Sequence, residues 1–105
     1  MADVTIYGGG ILGLATAWSC IKKGARVRVI EKLGVGYGSS GSPVGALAPH
    51  TPDNWNEKKQ FQFESLALGK SYWAEIEQVS GLPTGYVKCG RLQAVQDQRT
   101  LLLAK

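Results

Sequence analysis

Metal-ligating side chains are scarce in this sequence: His50 is the only histidine, and the two cysteines, Cys20 and Cys89, stand far apart with no partner at ligand spacing. A metal site is therefore not expected, and isolated thiols fit a reducing compartment better than a disulfide framework. Long apolar runs are lacking too. The stretch from Ile11 to Ile21 is too short for a bilayer and is broken by Gly13, Thr16 and Ser19, so no transmembrane segment is expected. Met1-Ala2-Asp3 is acidic where a signal peptide would be basic, which makes the cytoplasm the expected location. Nor is there a basic footprint. The net charge of +4 arises from 12 Lys and Arg against 8 Asp and Glu, scattered apart from Lys22-Lys23 and Lys58-Lys59 and without interleaved aromatics, so nucleic acid is not an expected partner.

Glycine is what the chain has in excess, with fourteen residues, ten of them before position 46. A backbone so composed must turn tightly or come close to something there. Val4 to Tyr7 is a short β-rich run opening onto glycines and predicts a buried strand. Ile11, Leu14, Trp18 and Ile21 fall on one face of a helix. Lys22 and Lys23 suit its C-terminal end, and Gly24 suits the left-handed position beyond it. Arg26 to Ile30 alternates, which predicts a second strand parallel to the first across a helical crossover.

Beyond this unit, Leu33 to Pro52 is rich in Gly, Ser and Pro and predicts a long irregular segment, with an ordered stretch around Val44 to Ala48. Asn54 or Asn56 caps a helix running to about Ser80, which Gly81 and Pro83 stop. Tyr86 to Val95 has β character around Cys89 and Leu92, and a last helix starts near Gln98 and runs towards Lys105. The expected divisions are a β-α-β dinucleotide unit over residues 1–32, a Gly/Ser-rich loop over 33–56, and a helix, a strand and the start of another helix over 57–105.

The chemistry lies in Gly8-x-Gly10-x-x-Gly13, placed between the first strand and the helix. Gly8 permits the tight turn, Gly10 lets a pyrophosphate approach the main chain, and Gly13 lets the helix pack on the strands. The helix N-terminus adds unpaired N–H groups and a partial positive charge, so it attracts anions. Glu31, ending the second strand about twenty residues on, can accept hydrogen bonds from ribose hydroxyls and disfavours a 2′-phosphate. A GxGxxG pattern can arise by chance in a glycine-rich chain, but strand, helix, Gly24 and Glu31 all agree with it.

These residues resemble the D-amino-acid-oxidase-like flavoproteins, a family that includes glycine and sarcosine oxidases and D-amino acid dehydrogenases. The likeness runs from Val4 to about Val95. It rests on the fingerprint ending in Glu31, on the run Ser39-Ser40-Gly41-Ser42-Pro43-Val44-Gly45-Ala46-Leu47-Ala48-Pro49, and on the long helix followed by Gly90-Arg91-Leu92. It implies an α/β fold, the N-terminal part of a Rossmann-like FAD-binding domain, incomplete in itself. FAD rather than NAD is the implied cofactor, since an NAD-dependent dehydrogenase would share the fingerprint without the Gly/Ser run. By position, Gly8, Gly10, Ile11, Leu12 and Gly13 would meet the pyrophosphate, and Glu31 and Lys32 the adenosine ribose and its surroundings. Ser40, Gly41 and Ser42 would lie near the phosphates, and Gly45, Ala46 and Leu47 would approach the isoalloxazine ring. Where some members carry a histidine bonded to the flavin, this sequence has Gly45, which implies non-covalent FAD.

The resemblance implies an oxidoreductase acting on amines or amino acids by oxidative deamination, with a small-molecule amine or amino acid as substrate of the full-length protein. No nucleophile, base and orienting group come together in these residues, so no catalytic residue is assigned. Two parallel strands and one crossover helix leave strand edges and a sheet face uncovered. The alternative expectation is accordingly a truncated, non-catalytic nucleotide-binding or interaction fragment, its open surfaces covered by self-association or by a partner chain.

Overall fold

The computed structural model describes residues 1–105 except Val44, Arg91, Gln93, Gln96, Ala104 and Lys105. The chain divides into two compact units, Met1–Ala46 and Leu47–Lys105.

In the first unit, strand β1 (Val4–Tyr7), helix α1 (Ile11–Lys22) and strand β2 (Val27–Ile30) follow in order. The strands are parallel, with Val4 opposite Val27, Thr5 opposite Arg28, Ile6 opposite Val29 and Tyr7 opposite Ile30. The β-α-β expectation is met, with strand two beginning one residue later than the sequence suggested. The alternation of side chains sorts the sheet into two faces. Val4, Ile6, Val27 and Val29 are half-buried, while Thr5, Tyr7, Arg28 and Ile30 are exposed. Asp3 clamps the open end of the pair: its carboxylate accepts from the Arg26 backbone N–H at 2.8 Å, Nε at 3.1 Å and Nη2 at 2.9 Å. This forked contact with Arg26 holds the Asp3 carboxyl below its ordinary pKa.

Helix α1 turns a different face inward from the one its large apolar residues suggested. Ala17 is buried at 6% exposure, whereas Ile11 and Ile21 remain about half exposed at 48% and 49%. The reason is close approach. A Cβ on Gly13 would stand 2.0 Å from the Gly8 carbonyl oxygen and 3.4 Å from Ile6 Cγ2, so only a side-chain-free surface, continued one turn on by Ala17, fits against the strands. The helix ends as expected, with Gly24 at φ +85° and its N–H donating to the Ile21 carbonyl at 2.8 Å.

The second unit is built around helix α2 (Glu57–Ser80). Asn56 is the cap, its side-chain oxygen accepting the Lys59 N–H at 3.1 Å. Lys59 Nζ in turn donates to the carbonyls of Thr51, at 3.1 Å, and Asp53, and Trp55 packs edge-on against Phe63. At the far end Gly81 takes φ +67°, and Glu77 accepts both the N–H and the hydroxyl of Thr84, at 2.8 and 2.7 Å. These donors hold the Glu77 carboxyl below its usual range. Tyr86 lies over Gly69, its ring 3.5 Å from where a Cβ would be.

Two expectations are corrected in this part of the chain. Tyr86 to Val95 forms no strand among the described residues. Gly85 and Gly90 adopt φ +74° and +78°, which breaks extended backbone just before the expected strand and again within it; Arg91 and Gln93 lie outside the described residues. Around Val44 to Ala48 no regular element forms among the described residues, Val44 lying outside them, and the ordered piece is instead a short 3₁₀ turn at Ser39–Gly41. The last helix, α3 (Gln98–Leu103), is present, with Ala104 and Lys105 outside the described residues. No helix among the described residues is long and apolar enough to cross a membrane.

Candidate functional site

The end of β1 delivers the chain into a turn that only glycine makes easily. Gly8 has φ +110°, and its N–H continues the ladder to the Ile30 carbonyl at 2.8 Å. Gly10 caps α1 without a side chain of its own, and its carbonyl accepts the first helical bond, from Leu14 N–H at 2.9 Å. The usual helix start would have a Ser, Thr, Asp or Asn here to satisfy the first donors. This helix has none, so those donors depend on groups from elsewhere.

Two side chains from far along the chain meet that loop. Glu31 Oε2 accepts the Gly9 N–H at 2.6 Å, and Glu31 Oε1 accepts the Leu33 N–H at 3.0 Å. These two backbone donors, Leu33 first, hold the Glu31 carboxyl below its ordinary pKa, so it is ionised at neutral pH. Ser40 Oγ accepts the Ile11 N–H at 2.9 Å across 29 residues of sequence. The Gly36 N–H donates to the Gly9 carbonyl at 3.0 Å, which ties a third point of the segment after β2 to the loop.

The spacing here requires bare backbone at several positions. A Cβ on Gly10 would meet Ser40 Oγ at 3.0 Å, and one on Gly41 would meet the Gly36 carbonyl oxygen at 2.2 Å. Among the described residues, no hydrogen-bond acceptor is found for the Leu12 and Gly13 N–H groups. The arrangement therefore offers open backbone donors at a helix N-terminus, inside a glycine cradle and beside an ionised carboxylate. An anionic ester with a neighbouring diol fits that donor and acceptor set.

The structure thus brings Gly8, Gly10, Ile11, Gly13, Glu31, Ser40 and Gly41 together, with Leu12 exposed on the first turn. It does not bring in every predicted position. Lys32 and Ser42 are exposed and make no hydrogen bond to the loop among the described residues. Gly45 and Ala46 lie in exposed irregular backbone, a Cβ on Gly45 would meet nothing within 4 Å, and Leu47, which opens the second unit, is exposed. Sequence reasoning passed over Gly9 and Gly36. The signal for Gly36 was present in the second glycine pair, Gly34 and Gly36, whose φ values of +148° and +81° turn the chain back towards the loop. Gly9 gave no signal, because its part is a backbone N–H and carbonyl. Among the described residues no group of three or more His, Cys, Asp or Glu side chains is placed to hold a metal ion.

Comparison with known proteins gives the family. The family model described as FAD dependent oxidoreductase matches residues 3–104. A "Bifunctional protein ThiO/ThiG" of Trichormus variabilis is 31% identical over 96 residues, covering 90% of this chain and 15% of that protein. A "Glycine oxidase" of Geobacillus kaustophilus is 28% identical over 92 residues, covering 87% of this chain and 24% of the relative. A "tRNA 5-methylaminomethyl-2-thiouridine biosynthesis bifunctional protein MnmC" of Aeromonas salmonicida is 32% identical over 105 residues, covering 98% of this chain and 16% of its own length. The chain therefore spans between 15% and 24% of the length of these three relatives. No solved structure gives a significant match.

Proposed function

The chain belongs to the family of FAD-dependent oxidoreductases, whose cofactor is FAD, and from that premise we propose that it forms the FAD-holding N-terminal portion of an oxidoreductase acting on amines or amino acids. The reaction class is oxidative deamination. The name "Glycine oxidase" of one relative supports an amino acid as the substrate class. The single observation that carries the reading is the pairing of open N–H donors on α1 with the ionised Glu31 carboxylate beside them.

In this reading Gly8, Gly10, Ile11, Leu12 and Gly13 bind the pyrophosphate through backbone donors and close approach. Glu31 and Lys32 hold the adenosine ribose end. Glu31 Oε2 accepts the Gly9 N–H and Oε1 the Leu33 N–H, and in this reading the carboxylate also accepts from the ribose hydroxyls. Ser40, Gly41 and Ser42 lie along the phosphates, and Gly45, Ala46 and Leu47 along the isoalloxazine. With Gly45 where a linking histidine would stand, FAD is held without a covalent bond. FAD, when bound, accepts the hydride removed from the substrate's α-carbon.

A second reading is favoured by the open sheet face of Thr5, Tyr7, Arg28 and Ile30. It is a nucleotide-binding or interaction module without activity of its own, with that face covered by self-association or a partner chain. Titration with FAD separates the two. The first expects flavin absorbance that stays with the protein through gel filtration and is released on denaturation. A colourless protein that takes up no added FAD would overturn it.

A further inference from the structure

At Ile11 a neutral side chain of the chain itself occupies a donor of the anion site. Gly10 supplies no capping side chain, and the hydroxyl that takes the Ile11 N–H comes from Ser40, 29 residues on. Its placement is built. The Gly36 N–H on the Gly9 carbonyl, the Gly41 N–H on the Gly38 carbonyl at 2.9 Å, and the absence of a Cβ on Gly10 and Gly41 all fix the turn that carries it.

The other contact made by the loop differs in kind. Glu31 takes the Gly9 N–H through a short charge-assisted bond of 2.6 Å, whereas Ser40 makes a neutral bond, roughly half as strong. Leu12 and Gly13 beside it keep their N–H groups without an acceptor among the described residues. An arriving phosphate finds these two donors open and a third held by a group that can turn round, since a hydroxyl both accepts and donates.

Building on the FAD reading above, we propose that Ser40 is a positioning residue: its hydroxyl holds the Ile11 N–H aimed at the phosphate position while the site is free, then passes that donor to a phosphate oxygen and donates its own O–H to the same phosphate. One hydrogen bond is exchanged for two. The loop and the first turn of α1 are thereby set before the cofactor arrives, which lowers the ordering that binding requires.

The test measures Ile11 amide exchange by NMR in the FAD-free 105-residue chain, and FAD affinity by fluorescence, for wild type and three variants. Ser40→Ala should speed Ile11 exchange by up to about tenfold and weaken FAD binding by about tenfold, the scale of one hydrogen bond. Ser40→Thr keeps the hydroxyl and should restore both. Ser40→Asp can accept but cannot donate at neutral pH, so it should keep Ile11 protected while rejecting FAD. Wild type that binds FAD beside a Ser40→Ala variant unchanged in Ile11 exchange or in FAD affinity would overturn the proposal and leave the FAD reading intact. Wild type that takes up no FAD would overturn both.

Discussion

The two units of this chain hold themselves together in opposite ways. In Met1–Ala46 the contacts that matter join residues distant in sequence: Asp3 with Arg26, Gly9 with Glu31, Ile11 with Ser40. In Leu47–Lys105 the corresponding bonds stay close to one helix, as with Asn56 and Lys59, Gln60 and Glu64, or Glu77 and Thr84. The first unit closes loops of more than twenty residues to assemble a loop of backbone donors, while the second trims the ends of a helix. The difference teaches where function resides. Ordering distant segments costs conformational entropy, and here that cost is met at the loop proposed above to hold the cofactor's phosphates and ribose.

The contrast can be broken most sharply at two glycines of the helices. Gly13→Ala drives a Cβ to within 2.0 Å of the Gly8 carbonyl oxygen, a clash with backbone that cannot rotate away. It is expected to destabilise the first unit by at least about 3 kcal/mol in urea unfolding and to abolish FAD uptake. An alanine with wild-type stability would mean that α1 does not lie on the strands as described.

The next effect is on pH. The Glu31 carboxyl is held below its ordinary pKa by the Leu33 and Gly9 N–H groups, so its stabilisation of the loop is fully present above the ordinary glutamate range and is lost as pH falls through the lowered value. The Gly9 amide proton shift, followed by NMR, should be constant at neutral pH and move only below that range. In Glu31→Gln it should show no such titration, and a Gly9 shift that titrates unchanged in that variant would break the assignment.

The smallest effect is expected in the second unit. Gly69 is a helical glycine too, and a buried one, yet a Cβ there meets the Tyr86 ring only at 3.5 Å, an ordinary contact. Gly69→Ala should leave the fold intact and stabilise α2 by up to about 1 kcal/mol through helix propensity. Marked destabilisation in the same unfolding measurement would show that the two units are packed alike, and would remove the comparison.

Much of the backbone was legible in the residues. The span of β1, the start of α1 after the glycines, the left-handed Gly24 and the run of α2 from Asn56 to Gly81 were all readable, because each depends on neighbours within a turn or two. The buried face of α1 was not. Periodicity pointed to Ile11, Leu14, Trp18 and Ile21, whereas contact is made through Gly13 and Ala17, since the closeness of helix to strand is set by the Gly8 carbonyl. The β character from Tyr86 failed in the same way: propensity cannot form a strand where glycines at its start and within it turn the chain.

The sequence by itself determined the β-α-β order, the glycine fingerprint and the acid that completes it, because those are matters of residue type at short spacing. Only the tertiary structure decided that Glu31 and Ser40 would reach back onto the Gly9 and Ile11 N–H groups. A side chain satisfies a bare helix start from twenty or thirty residues away only once strands and turns have brought it there. No local pattern of residues encodes that distance.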